Sequence, residues 1–202
     1  NKQWDYFSTA DSEKVRSLCD ECEIHPFISN ILINRGFKTH KDIKLFLEPS
    51  LKNLKDPFLL RHMYLAVKLL QETIVNDQHI FILGDYDVDG ITATALMLDF
   101  LKACGAGKVD YFIPNRLKHG YGLTEASTDI LLGKNANLVI TVDNGITAAV
   151  EIKRLNDAGI KTIVTDHHLA DRDNLPPGIV INPNHPECKY PFKKISGCGV
   201  AL

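Results

Sequence analysis

The sequence predicts an α/β fold: a parallel sheet with helices on both faces, preceded by a small helical extension. Three observations carry this reading. From His79 onward, short apolar runs alternate with stretches of helical length, the pattern of right-handed βαβ crossovers and hence of a parallel sheet. The run HIFIL is β-branched and aromatic and reads as a buried strand. Before it, apolar residues recur at helical rather than strand spacing.

The elements follow in order. HPFISNILINRG carries apolar residues at Phe27, Ile28, Ile31 and Leu32, with Gly36 placed to end a helix. In THKDIKLFLEP, Thr39 is the expected N-cap and Pro49 closes the segment. After the loop SLKNLKDP, an amphipathic helix is predicted over 59–75. Residues 1–58 thus form the extension and 59–202 the main domain. HIFIL then leads to a helix over 91–103, ended by Gly105. VDYFIP is the next strand, and Thr124 caps the short helix TEASTDILL. The strand NLVITV, the helix ITAAVEIKRLNDA and the strands KTIVT and GIVIN complete the pattern.

Composition narrows the class. A formal charge of −2 gives no global sign of nucleic acid, although a local basic groove can hide in a neutral average. Five cysteines at irregular spacing argue against a secreted disulfide framework. Cys19-x-x-Cys22 is half of a zinc pattern, and Cys104, Cys188 and Cys198 form no second half. No apolar run approaches the roughly 20 residues of a membrane span, and the opening NKQWDYF does not read as a signal peptide. A reduced, cytoplasmic chain with no membrane partner is the expectation.

The chemistry begins at ILGDYDVDGITAT, where Asp85, Asp87 and Asp89 alternate and Gly90 follows. Two carboxylates ~4 Å apart repel by about 4 kcal/mol at an effective dielectric near 20, so such a cluster calls for a cation. A calcium loop needs an acidic residue where this chain has Leu96, and an entering helix where it has HIFIL. Helix capping needs one carboxylate, not three. The strand ends supply more candidates: GDYDVDG after HIFIL, DNG after NLVITV, DHH after KTIVT and PNHP after GIVIN. Ligands of open α/β sheets bind outside the carboxyl ends of the strands. Asp85, Asp87, Asp89, Asp143, Asp166, His167, His168 and Asn182 should therefore collect along one edge. Carboxylates with imidazole and no thiolate suit Mn²⁺ or Mg²⁺, and so many carboxylates suggest two ions. Such a pair clamps both oxygens of an in-line phosphoryl displacement. Neither a G-x-S-x-G elbow nor a G-x-x-x-x-G-K-[ST] loop is present.

GDYDVDGITA, VITVDNGI, IVTDHH and NP…YPF…SGCGVA resemble the motifs of the DHH phosphoesterase family over about residues 59–202. Their form is most similar to its branch of single-strand-specific exonucleases. The resemblance implies that Asp87 and Asp89 are metal ligands, one for each ion, that Asp143 bridges both, and that His167 is the metal-binding histidine. It places His168 near the scissile phosphate or an ion; the ordinary alternative is a histidine bonded to backbone. Asp166 is expected to orient a histidine. The small-substrate branch has a histidine where this chain has Leu83, and Asp85 is expected to supply the missing oxygen. IPNRLKHGYGL also resembles the nuclease branch. There Arg116 would fork onto a phosphate and Tyr121 would offer a base a stacking face. Lys189, Lys193 and Lys194 would add a basic rim.

The implied activity is Mn²⁺- or Mg²⁺-dependent 5′→3′ digestion of single-stranded DNA in repair and recombination. Helicase and single-strand-binding partners are implied by resemblance alone. The family also has a further acidic ligand and a substrate-binding domain downstream of SGCGVA, so the expectation is a fragment that binds metal better than it cuts DNA. The rival readings are a phosphoesterase of short oligonucleotides, cyclic dinucleotides or pyrophosphate, and a non-catalytic replication factor of the same fold.

Overall fold

A computed structural model describes residues 12–202; the reading of NKQWDYF lies outside them. The chain divides into two compact units between Leu54 and Lys55, slightly before the expected 58/59 boundary.

The first unit holds α1 (Ser12–Cys22), α2 (Pro26–Asn34) and α3 (His40–Leu47). Leu18, Leu32 and Ile43 form its core. Thr39 caps α3 as expected, its Oγ1 accepting the Asp42 N–H at 3.1 Å. The predicted apolar face of α2 is only partly used. Leu32 is buried, but Phe27 is 65% exposed and Ile28 40%. Ser29 faces inward instead, donating from Oγ to the Val15 carbonyl. A unit this small has too little interior to enclose a wide apolar stripe.

The second unit is built on five parallel strands: β1 (Ile80–Leu83), β2 (Val109–Phe112), β3 (Leu138–Val142), β4 (Lys161–Thr165) and β5 (Ile179–Ile181). Their spatial order is β2-β1-β3-β4-β5, with Ile80 opposite both Val109 and Leu138. Every residue of β1 and β3 is buried, because helices cover both faces. On one face Ile80, Ile82, Ile140 and Ile163 meet α4 (Met63–Val75), α5 (Val88–Ala103) and the short α9 (Gly197–Ala201). On the other, Phe81, Leu83, Val139 and Val164 meet α7 (Glu125–Leu132) and α8 (Ala149–Asp157). The four-residue α6 spans Arg116–His119. Among the described residues no helix is long and apolar enough to cross a membrane.

Three helix starts differ from the sequence reading. α4 begins at Met63 rather than Leu59, because His62 sits at φ 64°, outside helical space. Its Nδ1 accepts the Val180 N–H of edge strand β5 at 3.1 Å. α5 begins at Val88 rather than Ile91, since Asp87 caps it through the Gly90 N–H at 3.0 Å. Asp89 therefore stands in the first helical turn. α8 begins at Ala149 rather than Ile146, because the buried Ile146 donates its N–H sideways to Asp166 Oδ2 at 2.9 Å.

Candidate metal centre

In a sheet ordered 2-1-3-4-5 the winding reverses between β1 and β3, and a crevice opens outside their carboxyl ends. Asp85 and Asp87 leave β1 into that crevice, Asp143 and Asn144 leave β3, and Asp166, His167 and His168 leave β4 beside it. The strands bring together residues that are distant along the chain, as strand-end topology requires.

Asp85, Asp87 and Asp143 each place a carboxylate oxygen within 4.8 Å of the others. Asp143, His167 and His168 form a second such group, so Asp143 belongs to both. Asp143 is buried and held at φ 62°. A left-handed conformation costs an L-residue about 1–2 kcal/mol, although Asp tolerates it better than most. The following Gly145, at φ 105°, completes the turn that the sequence DNG demands.

The site is under-satisfied. Asp85 Oδ1 accepts the Tyr86 N–H at 2.8 Å, but its Oδ2 is buried without a hydrogen-bond partner. Asp143 Oδ1 stands 3.1 Å from His167 Nε2 without the alignment of a hydrogen bond. Asn144 Oδ1 is a third buried, unpartnered oxygen. Buried polar atoms almost always find partners, and the orphaned oxygens of Asp85 and Asp143, whose carboxylates stand together in one cluster, fit a divalent cation of the Mg²⁺ or Mn²⁺ class. The titration of the carboxylates agrees. Burial first, then Asp89 and Asp87, push Asp143 up to about 7. Burial also raises Asp85, with Asp87 adding to it.

Asp89 is placed differently from the other acids. Its two oxygens accept the N–H groups of Gly197 and Cys198, each at 2.7 Å, so it caps α9. Its Oδ2 also lies 3.6 Å from His167 Nε2, and a carboxylate oxygen with one N–H bond keeps a lone pair for another partner. SGCGVA thus enters the site through its backbone, which its letters do not announce.

Asp166 does not offer itself to a cation. Burial alone would raise its pKa, but bonds from the His168 ring, the His168 N–H and the Ile146 N–H hold it below the usual carboxylate range. Its Oδ1 meets His168 Nδ1 at 2.7 Å and the His167 N–H at 2.6 Å. That bond to Asp166 is also the main reason the His168 pKa is raised. His168 Nε2 lies 3.2 Å from the Tyr121 hydroxyl. Burial, with Asp85 and Asp166 adding to it, keeps Tyr121 protonated well beyond the ordinary range.

An exposed strip continues outward. Tyr121 packs edge-on against both His168 and Tyr86, and the Arg116 guanidinium lies 5.5 Å from the centre of the Tyr86 ring. Tyr86 was not singled out from sequence. Its place between two aspartates of the motif was the signal available.

Asn182 gathers at this edge as the strand ends require, though not as a ligand: it is buried, and its Nδ2 donates to the His168 carbonyl at 3.0 Å. One sequence expectation is revised. Lys193 is not a free rim cation, because its Nζ donates to the carbonyls of Pro183 and Cys188 at 2.6 and 2.9 Å. Asn144 does more than turn the chain, since its Nδ2 donates to the carbonyls of Val142 and Leu83 at 2.9 and 3.3 Å and so ties β3 to β1. Asn144→Ala leaves those carbonyls without this donor. We expect it to destabilise the chain by about 2 kcal/mol, read as a lower midpoint with unchanged slope in urea.

Comparison with known proteins places this geometry. Residues 79–202 match the DHH family, N-terminal domain. The single-stranded-DNA-specific exonuclease RecJ of Bacillus subtilis (strain 168) is 38% identical over 192 residues, which cover 95% of this chain and 24% of that protein. The RecJ of Thermus thermophilus is 36% identical over 202 residues, 99% of this chain and 28% of that protein. The chain thus spans about a quarter of the length of these relatives. Among solved structures, T. thermophilus RecJ in complex with Mn²⁺ superposes with a TM-score of 0.67 at 33% identity, covering 96% of this chain and 26% of that one. An exonuclease RecJ bound to manganese gives 0.65 at 38% identity, with 73% of this chain and 37% of that one covered. Two ligand groups joined at Asp143 on a β1/β3 switch point and a family match over the whole sheet lead to one conclusion: this chain belongs to the DHH family.

Proposed function

We propose that the crevice is the metal centre of a Mn²⁺- or Mg²⁺-dependent exonuclease acting on single-stranded DNA from its 5′ end, in the cytoplasm. The observation that carries this reading is the pair of orphaned carboxylate oxygens on Asp85 and Asp143 at the switch point, in a chain whose relatives are named single-stranded-DNA-specific exonucleases. Asp85, Asp87, Asp143 and His167 would hold the cations, with Asp143 shared, and Asp89 would reach one of them beside His167. Bound divalent ions supply Lewis-acid stabilisation of phosphoryl oxygens and acidify a bound water.

The chain's own residues then do the positioning. Asp166 fixes the His168 ring, so that Nε2 faces the crevice side of Tyr121 and can hold a proton near the scissile phosphate. Arg116 and Tyr121 would take a phosphate and a base along the exposed strip.

The test is to incubate this chain, with Mn²⁺, on 5′-labelled single-stranded DNA, duplex DNA and short oligonucleotides. Slow stepwise loss of nucleotides from single strands, weak beside the chain's binding of Mn²⁺ and absent in His168→Ala and in EDTA, is the expected result. Cleavage of oligonucleotides of two or three residues alone would instead favour a small-substrate phosphoesterase. Metal binding by this chain with no cleavage of any of the three substrates would favour a non-catalytic replication factor.

A further inference from the structure

A second cluster of polar side chains lies outside the metal centre. It lines a cleft of about 690 Å³ beside edge strand β5, formed by Arg61, His62, Arg172, Gly178, His185 and Glu187 among others. From these residues we infer a binding site for a phosphate-type oxyanion.

The argument starts from the His185 ring. His185 is buried at 5% exposure. The Glu187 N–H points to its Nδ1 at 3.1 Å, and the Arg61 guanidinium NH1 stands 3.4 Å from its Nε2. A neutral imidazole has one acceptor nitrogen and one N–H, and an arginine has donors only. Two donors therefore face a ring able to accept one, whichever tautomer forms. With the shorter bond satisfied at Nδ1, the Nε2 proton and an Arg61 proton are aimed into the same space. Arg61 NH1 also stands 3.3 Å from His62 Nδ1, but that nitrogen's one lone pair already accepts the Val180 N–H at 3.1 Å. The donors need an acceptor from outside.

The surroundings set the class of that acceptor. Burial first, and then Arg61, lower the pKa of both His62 and His185, so the two rings are neutral near pH 7. Arg61 and Arg172 are cationic, and Glu187 is the one carboxylate lining the cleft among the described residues. Glu187 pairs with Arg61 NH2 at 2.8 Å but is 69% exposed, and an exposed pair of this kind holds by at most about 1 kcal/mol. The cleft keeps a net positive charge and presents a planar guanidinium beside an imidazole N–H. This set suits a tetrahedral oxyanion with several acceptor oxygens. A carbonyl ligand would leave the charge unmatched.

The location links the cleft to the metal centre. The loop after β5 carries His185 on the cleft side. On its other side, Asn182 Nδ2 donates to the His168 carbonyl and Asn184 Nδ2 to the His167 carbonyl at 3.0 and 2.6 Å. An oxyanion seated on His185 would thus bear on the loop that braces both histidines. The phosphate can come from a nucleic-acid backbone or from a free phosphate compound. The backbone source rests on the proposed nuclease reading; the site itself does not.

The experiment uses the 202-residue chain in EDTA, so that the metal centre contributes no phosphate binding. Inorganic phosphate is titrated while the imidazole resonances of His62 and His185 are followed by NMR, in the parent, Arg172→Ala, Arg61→Lys and Asp143→Asn. Saturable shifts of these rings are expected. Arg172→Ala and Arg61→Lys should weaken the apparent affinity by at least about fivefold, while Asp143→Asn leaves it unchanged. A single-stranded oligonucleotide that displaces the phosphate assigns the site to the strand backbone. One that does not displace it assigns the site to a free phosphate compound; both results keep the oxyanion site. The inference is overturned if neither ring responds, or if phosphate binds equally well to both arginine variants. Because metal is absent throughout, failure here leaves the nuclease reading untouched, and loss of cleavage elsewhere leaves this site untouched.

Discussion

Asp143→Asn should make the metal-free chain more stable above pH 7 while abolishing its stabilisation by Mn²⁺. The sign follows from proton linkage. An aspartate ordinarily titrates at 3.8, and burial with Asp89 and Asp87 nearby raises Asp143 to about 7. Between those values the native state holds a proton that the unfolded state has released. Stability therefore falls as pH rises through that window, and the full penalty is present above pH 7. A tenfold change in proton affinity corresponds to about 1.4 kcal/mol, so the penalty is on the order of a few kcal/mol. Asparagine keeps the shape and cannot ionise, which removes the penalty. It also removes the one carboxylate common to both candidate ligand groups. The loss in metal affinity should exceed the roughly 10–100-fold seen when residues behind a ligand are changed. For the parent, protons compete with metal at Asp143, so Mn²⁺ affinity should fall as pH drops below 7. Thermal melts of both proteins at pH 5 and pH 8, with and without Mn²⁺, check every part. A variant less stable than the parent at pH 8 without metal would contradict the account.

Gly90→Ala is the second large effect. Gly90 lies in the first turn of α5, where alanine would ordinarily gain up to about 1 kcal/mol in helix propensity. Here an added Cβ would meet Asp85 Cβ at 2.5 Å and the Asp85 backbone Cα and N at 2.7 Å. Backbone cannot step aside as a side-chain tip can, and overpacking costs about 1–3 kcal/mol, sometimes more. The net expectation is a loss of about 2 kcal/mol or more, with Mn²⁺ affinity falling because Asp85 is displaced. Gly197→Ala should act on the same site from α9, since its Cβ would collide with Asp143 Oδ1 and come within 2.7 Å of Asp143 Cβ. Gly133→Ala is the control: its nearest neighbours would lie at 3.5 Å and beyond, and it should change stability by no more than about 1 kcal/mol. Urea denaturation of the three variants separates these outcomes.

These predictions show what a sequence can and cannot display. HIFIL and NLVITV were legible as strands because apolar content and length suffice for a covered parallel strand, and Thr39 and Thr124 were legible as caps. The gathering of Asp85, Asp87, Asp143, Asp166, His167 and His168 was legible because the rule that ligands bind at carboxyl strand ends depends only on topology. The bond from Asp89 to Gly197 and Cys198 was not, since backbone N–H groups carry no letter of their own. The meeting of Arg61, His62 and His185 was equally hidden, because no periodicity joins the loop after β5 to the turn before α4. Nor did apolar spacing in α2 show that Ser29, rather than Phe27, faces inward.

Calorimetric titration of Mn²⁺ at pH 7, in two buffers of different ionisation enthalpy, tests the central claim most directly. At least one saturable site should appear in the parent, with net proton release because Asp143 is partly protonated there, and both should be lost in Asp143→Asn. No binding by the parent, or equal binding by the variant, would mean that the orphaned oxygens at the β1/β3 crevice are not a metal centre.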